Sequence, residues 1–450
     1  MASKRAPGPS RYMLFQMAAL QTRPLEFLGE LWHEYGDLVR IPVMPGFTIF
    51  SSVHPDHAEH ILSTHSARYA KPDFFLKPMG LVQGQGLFSS EGDVWKRQRR
   101  LMQPAFQQKK VLQLHSAIRD CIQSMLVEWA AKPEGEVFNV ADEMTRLTLN
   151  IVGKTLFGTD INDDSSRLRS ALRIAVEYVY SRLASPVSLP LWVPSQTNRE
   201  FQRAKQTIDE IVLEIIRARR QKSDDRSDLL GMLLAARYEE TGEGMSDQQV
   251  LNEVITLMNA GHETTATSLT WTWQLLSMHP EILANLRDEV DSVLTDETAS
   301  FEQIKELVYT RRVFDESLRL CPPGMGLAPR AALEEDEIEG YDIPKGAIVN
   351  IMFYFTLRHP AFWRDPETFD PERFSPERVS GRHKYAYMPW GAGGHACIGK
   401  SLAVMEAVMI LSAIARRFDV QLVSQQPVEI DPRFTLRPKG GIKVTLTPRT

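Results

Sequence analysis

Cysteine is scarce in this chain: Cys121, Cys321 and Cys397 are the only three in 450 residues. So low and odd a count cannot build a disulfide framework, and it fits a reducing compartment. Long apolar runs are missing too. No stretch approaches the ~20 residues that a spanning helix needs. The basic start, Lys4-Arg5, is followed by Pro7 and Pro9, and no small-residue cleavage pattern follows a proper apolar run. A cytoplasmic protein without a transmembrane anchor is the expectation. Neither sign of charge is in large excess. A formal net charge of -5 lacks the basic bias of general nucleic-acid binders. Internal repeats and clean linkers are absent. The 43% hydrophobic and 9% aromatic content belongs to a folded globular chain, and residues 1–450 read as one integrated domain.

What is present is mostly helical periodicity. Apolar residues recur at helical spacing from Val111 to Trp129, from Phe201 to Arg220 and from Gln248 to Met278. The last run, at ~1.5 Å per residue, would extend ~45 Å, so its centre should be buried. Strand signals are few. Leu38–Ile41 and Phe47–Phe50 flank Pro45-Gly46 as a hairpin, Tyr341–Val349 reads as strand, turn, strand, and Phe434–Leu436 with Ile442–Leu446 flank Pro438–Gly441 as another. The fold class is mainly α with small peripheral β-sheets. Two stretches lack periodicity. Leu183–Pro194 is an apolar, proline-broken loop, either a mobile lid or a packed turn. Arg358–Gly394 is rich in Pro, Gly and aromatics, and so long an irregular stretch is more often functional than idle.

The densest motif runs from Trp390 to Ser401. Gly394-x-x-x-x-Gly399-Lys400-Ser401 matches the phosphate-cradling P-loop, which makes a nucleotide-binding protein the rival reading. That loop needs a buried strand before it, and Pro389 cannot donate to a ladder. Only about 50 residues follow Ser401, too few for the rest of a parallel sheet. The match is judged coincidental. The other reading centres on Cys397. Glycines at 391, 393, 394 and 399 allow sharp turns and close backbone approach. A helix starting just beyond places free amides near the sulfur, which favours a metal-ligating thiolate. Cys121 and Cys321 lack that setting and read as small buried hydrophobes. One thiolate without partners at zinc spacing is a poor zinc site, whereas haem iron needs one strong protein ligand.

Gly393-x-His395-x-Cys397-x-Gly399 resembles the haem-binding loop of the cytochrome P450 family. Further motifs agree in order. Glu316-Ser317-Leu318-Arg319 is similar to the family's Glu-x-x-Arg, whose carboxylate and guanidinium share a helix face. The resemblance implies that Arg373, in Pro371-Glu372-Arg373-Phe374, joins them as a structural triad. Ala260-Gly261-His262-Glu263-Thr264-Thr265 looks like the oxygen-activating stretch of the long helix. His262-Glu263 begins like a zinc-protease signature, but Ala266 stands where the second His is required. Thr264 can bond the Ala260 carbonyl, with Gly261 permitting a distortion. The resemblance implies that Thr264 steadies activated oxygen while Glu263 relays the protons that oxygen–oxygen cleavage requires.

The same resemblance implies haem b, ligated by Cys397 and held also by Gly399. Trp95 and Arg99 of Trp-x-x-x-Arg, Arg330, and His395 where the family often has Arg would meet the propionates, for which Arg forks suit well. Trp390 stands where Phe is usual. Its indole N–H, if near the sulfur, would raise the iron's potential, and His395 would make its propionate contact pH-sensitive. Phe88, Ala260, Met325, Leu327 and Leu436 would border the substrate. They are apolar, which implies a lipophilic ligand such as a fatty acid or terpenoid, with a lean toward neutral ones. The expected activity is monooxygenation by a monomer fed by a separate ferredoxin or flavodoxin-type donor and its reductase. Lys96, Arg97, Arg100, Lys109, Lys110, Lys400, Arg416 and Arg417 would form its basic docking patch, or else are scattered solubility charges. A peroxide-using or isomerising haem-thiolate enzyme is the remaining alternative. Such enzymes typically lose the acid–alcohol pair that Glu263-Thr264 supplies here.

Overall fold

The computed structural model describes residues 4–13, 17–158, 165–184, 188–221, 228–238, 241–325, 329–426, 428–432 and 435–449. Two compact units share the chain: residues 1–76, 318–397 and 432–436 form the first, and 77–317, 398–431 and 437–450 the second.

The first unit holds the main sheet. Its strands lie in the order Leu38–Met44, Phe47–Ser52, Ile348–Ile351, Arg330–Ala332, Tyr69–Ala70. The hairpin at Pro45-Gly46 forms as expected, with Leu38 opposite Ser52 and Ile41 opposite Ile49. Phe47–Ser52 then pairs in parallel with Ile348–Ile351. Leu38, Phe50, Val349 and Ile351 bury the core face, against Ala58, Ile61, Phe353 and Trp363. Tyr341–Ile343 does not pair with Ile348–Ile351. It turns back on Asp336–Ile338 through Glu339-Gly340, both at positive φ. Pro344 follows it, lacks an N–H and so ends the ladder. The stretch from Arg358 to Gly394 is irregular as expected, carrying only short turns at Pro371–Phe374, Pro376–Val379 and Lys384–Ala386.

The second unit is helical. Helices His115–Ala130, Gln196–Gln221 and Asp247–Met278 fall where the periodicity puts them. The long helix opens on Ser246, whose hydroxyl accepts the Gln249 N–H at 3.2 Å, a standard N-cap. It buries nearly every side chain from Val250 to Thr256 and from Thr265 to Leu276, packing on Val140–Phe157. Strand Lys443–Pro448 pairs with Phe418–Leu422 and Phe138–Asn139. It is not the hairpin partner of Leu436, and Phe434 lies outside the described residues. Long-range pairing won over the local turn because the helix Lys400–Arg417 delivers Phe418–Leu422 directly beside it. The Leu183–Pro194 loop is described except at 185–187. Its exit is pinned by the Asn198 amide, which donates to the Pro190 and Val193 carbonyls at 2.9 and 2.8 Å, while Trp192 is 82% exposed.

Candidate active site

Within the first unit, the loop ahead of Cys397 folds on its own backbone. The Cys397 N–H donates to the Trp390 carbonyl at 2.8 Å, and Gly391 N–H to Met388 at 3.1 Å. Gly391 and Gly393 have φ of 69° and 65°, which favours glycine. Gly393 has a second reason: a Cβ there would lie 1.8 Å from the Leu62 carbonyl oxygen. The result is an exposed Cys397 on a tightly constrained turn, followed by helix Lys400–Arg417. The other two cysteines behave as small hydrophobes. Cys121 is buried, and burial pushes the Cys321 thiol up to about 11. Residues 385–392 form turns and no strand, so the P-loop context is absent.

The Glu-x-x-Arg helix, Val308–Leu320, brings both charged residues to complete burial, Glu316 and Arg319 each at 0% exposure. Arg319 donates to the carbonyls of Leu357, Pro366 and Thr368 at 3.0, 2.6 and 3.1 Å and lies over the Trp363 ring. Buried Arg373 donates to Arg364 and Asp365 carbonyls, the latter at 2.6 Å. These two guanidiniums therefore tie down the irregular stretch that precedes the Cys397 loop. Sequence reasoning missed Arg382, whose guanidinium also stacks on Trp363, 4.2 Å from the ring centroid. No periodic signal marks it. Arg330 is buried and donates to the Pro329 carbonyl at 3.0 Å, and His395 is half-buried. Leu436 and Met325 are buried, Leu436 donating its N–H to the Pro323 carbonyl at 2.8 Å. Leu327 lies outside the described residues.

In the second unit, the middle of the long helix breaks its own burial pattern. Ala260 is exposed, and Gly261, Glu263 and Thr264 are half-buried, inside a helix otherwise largely enclosed. The Thr264 hydroxyl donates to the Ala260 carbonyl at 2.6 Å, as expected. The helix runs through Gly261 with unbroken α geometry. Gly261 serves packing rather than a break: a Cβ there would meet Val152 Cγ2 at 3.1 Å. His262 is enclosed, and burial holds its ring below the ordinary imidazole range. Its Nδ1 lies 2.7 Å from the Met258 carbonyl, so it is spent on the helix. Asn259, unmarked by any motif, keeps a buried Oδ1 with no hydrogen-bond partner. Trp95 and Arg99 are half-buried one turn apart on helix Gly92–Met102.

Farther along, the loop leading to Phe88 is fastened to the long helix. Leu87 N–H donates to Glu253 at 2.9 Å, and Gly86 leaves no room for a Cβ beside Thr256 Oγ1. Phe88 itself is exposed. Glu253 is legible as an acid inside the apolar run Val250–Ile255. Of the basic residues, Arg417 pairs with Glu297, Arg416 with Asp291 at 3.7 Å and Lys96 with Asp93 at 3.4 Å. Arg97, Arg100, Lys110 and Arg237 line one cavity of about 350 Å³ with Tyr238 and Leu233.

A haem-thiolate group fits the residues present. The exposed thiol sits on a glycine cradle, and the same loop buries the Trp390 indole N–H without an acceptor. That indole therefore makes no bond to the sulfur. An orphaned buried donor costs about 1–3 kcal/mol, and a group bound at the loop would relieve it. The cytochrome P450 family model matches residues 5–446. The chain belongs to the cytochrome P450 family. It is 35% identical to a cyclooctat-9-en-7-ol 5-monooxygenase of Streptomyces melanosporofaciens, over 93% of this chain and 89% of that one. It is 30% identical to a pentalenene oxygenase of Streptomyces avermitilis, over 93% and 90%. The crystal structure of a cytochrome P450DA heme domain superposes with a TM-score of 0.91 at 26% identity, covering 100% of this chain and 98% of that one. This P450 is therefore a monooxygenase with a cysteine-ligated haem. Among its described residues no helix is long and apolar enough to cross a membrane.

Proposed function

We propose that this P450 oxygenates a neutral, terpenoid-class substrate, with electrons from a separate ferredoxin or flavodoxin-type donor and its reductase. The observation that carries the reading is the Thr264–Ala260 bond within an opened stretch of an otherwise buried helix. When bound, haem supplies oxygen activation and transfer of one oxygen atom to the substrate while the other leaves as water. Cys397 would hold the iron through its thiolate, with Gly399 among the residues that would hold the haem. Trp95, Arg99, Arg330 and His395 hold the propionates. Glu316, Arg319 and Arg373 keep the loop of Cys397 in shape.

Glu263 takes protons from solvent and relays them where oxygen–oxygen cleavage needs them, while the Thr264 hydroxyl steadies the oxygen site as a hydrogen-bond acceptor. Because Thr264 Oγ1 donates its own proton to the Ala260 carbonyl, its lone pairs are left to accept. The intact pair favours this route over peroxide use or isomerisation. By family position, Phe88, Ala260, Met325, Leu327 and Leu436 are the residues that would meet the substrate; all are apolar and none is a cation for a carboxylate. The named substrates of the two Streptomyces relatives support a hydrocarbon-rich ligand.

Lys96, Arg97, Arg100, Lys109, Lys110 and Lys400 attract the acidic donor, and the cation-lined cavity supports that docking face. The protein works as a cytoplasmic monomer, and residues 1–450 act as one catalytic domain. The test is titration of the ferric holoenzyme with cyclic terpenes and alkenols against fatty acids, followed by turnover with ferredoxin and reductase. A high-spin Soret shift and products heavier by one oxygen are expected with the terpenoids. Shifts with fatty acids alone would refute the substrate class.

A further inference from the structure

Eight of the eleven histidines lie in the first unit, and three stretches of it meet around two of them. Helix Pro55–Glu59 is capped by His54 and carries His57, while Glu339 sits in the turn between strands Asp336–Ile338 and Tyr341–Ile343. One donor atom from each of His54, His57 and Glu339 lies within 4.8 Å of the other two. We propose that these three residues bind a divalent transition cation such as Zn²⁺, with two imidazoles and one carboxylate as ligands.

His57 carries the argument. Its side chain is 1% exposed, and its Nε2 makes a single polar contact, a 3.1 Å ion-pair approach to Glu339 Oε1 that is not aligned as a hydrogen bond. Its Nδ1 lies 2.9 Å from the Ser52 hydroxyl. With Nδ1–H donating to Ser52, Nε2 keeps its lone pair, and the outer bond fixes ring and tautomer as metal-bound histidines require.

Glu339 is an unfavourable residue for its position on conformational grounds. Its φ is 51° and that of Gly340 is 76°, a turn that Asn-Gly or Gly-Gly would make with less strain. Its side chain is 48% exposed, which leaves the ion a way in. His54 completes the set by trading partners. Its Nδ1 accepts the Asp56 N–H at 3.2 Å. A cation on Nε2 would require the proton to move to Nδ1, giving up that cap bond for the Asp56 carboxylate, whose Oδ2 lies 3.6 Å away. Two nitrogens and one oxygen suit zinc and its neighbours better than calcium or magnesium.

The adjoining group Asp56, Glu59 and His383 also brings its donor atoms within 4.8 Å. It needs no cation. His383 Nδ1 accepts the Tyr385 N–H at 3.2 Å, so Nε2 carries the proton and meets Asp56 Oδ1 at 3.0 Å. A cation on His54, His57 and Glu339 would clamp the 339–340 turn to the segment that continues into Leu62, whose carbonyl abuts Gly393. It would thus stiffen the support of the Cys397 loop.

The experiment is equilibrium dialysis of chelator-stripped holoenzyme against Zn²⁺, with metal and haem counted per chain, and zinc X-ray absorption on the loaded protein. Wild type should take one Zn²⁺ per chain, with imidazole nitrogens at ~2.0–2.1 Å. Glu339→Gln and His54→Asn change partly exposed side chains and should each weaken binding at least about ten-fold, while His383→Asn leaves it unchanged. Full haem content in each variant shows that the fold survives. Failure of wild type to bind, or a loss in His383→Asn with retention in Glu339→Gln, would overturn the assignment.

Discussion

Replacing Glu253 with Gln should remove a loss of stability that the wild-type chain suffers as pH rises. Glu253 is wholly buried on the long helix, accepting the Leu87 N–H at 2.9 Å and the Gln249 amide at 2.6 Å. Those bonds favour the carboxylate, but burial outweighs them and pushes the carboxyl up from 4.5 to about 7. Between these values the folded chain keeps a proton that the unfolded chain has released. Stability therefore falls as pH rises through that window, and the fall is complete above it. At about 1.4 kcal/mol per pH unit the loss is about 3 kcal/mol, a large share of a ~5–15 kcal/mol total. The amide of the Glu253→Gln variant would stay neutral and still accept the Leu87 N–H, at a cost of about 1 kcal/mol for one weakened bond. Urea denaturation should then find wild type slightly the more stable at about pH 5 and the variant the more stable by about 2 kcal/mol at about pH 8. Parallel curves across that range would refute the buried, protonated Glu253.

Other substitutions probe the supports and the proton route. Arg319→Leu removes three carbonyl bonds and leaves Glu316 buried without its neighbouring charge, so it should cost at least about 3–5 kcal/mol and abolish haem retention; a urea midpoint near wild type would contradict this. Gly393→Ala places a methyl on the Leu62 carbonyl and must displace the loop, which haem stoichiometry after gel filtration would reveal as a deficit. Thr264→Ala deletes the 2.6 Å bond to Ala260 and the hydroxyl with it. It should uncouple reductant and oxygen consumption from product, and unchanged coupling would count against the proton route.

The helices are legible in the sequence because their apolar faces repeat, and the long one begins within a residue of the expected start. The Cys397 loop is legible because glycine at positive φ is rarely replaceable, and two of its glycines have that geometry. Arg319 and Arg373 bind backbone carbonyls as well as carrying the charges the motif shows. Their carbonyl partners come from a stretch with no periodicity, so sequence spacing could not name them. Gly261 marks no distortion of its helix, because its reason lies on another helix, at Val152. Strand Lys443–Pro448 escapes the local reading for a related cause: its partners are set by long-range delivery of chain, not by the Pro438–Gly441 turn. Proximity in sequence suggests a bond from Trp390 to the sulfur, and the fold leaves that indole N–H buried without a partner.

The thiolate assignment of Cys397 is the claim on which the account rests. The most direct measurement is the absorbance spectrum of dithionite-reduced protein with and without carbon monoxide, for wild type and for Cys397→Ala. Wild type should give a strongly red-shifted Soret band on adding carbon monoxide, the mark of a thiolate on the iron, and the variant should lose that band. The same band surviving in Cys397→Ala, or absent from a folded, haem-loaded wild type, would contradict the account.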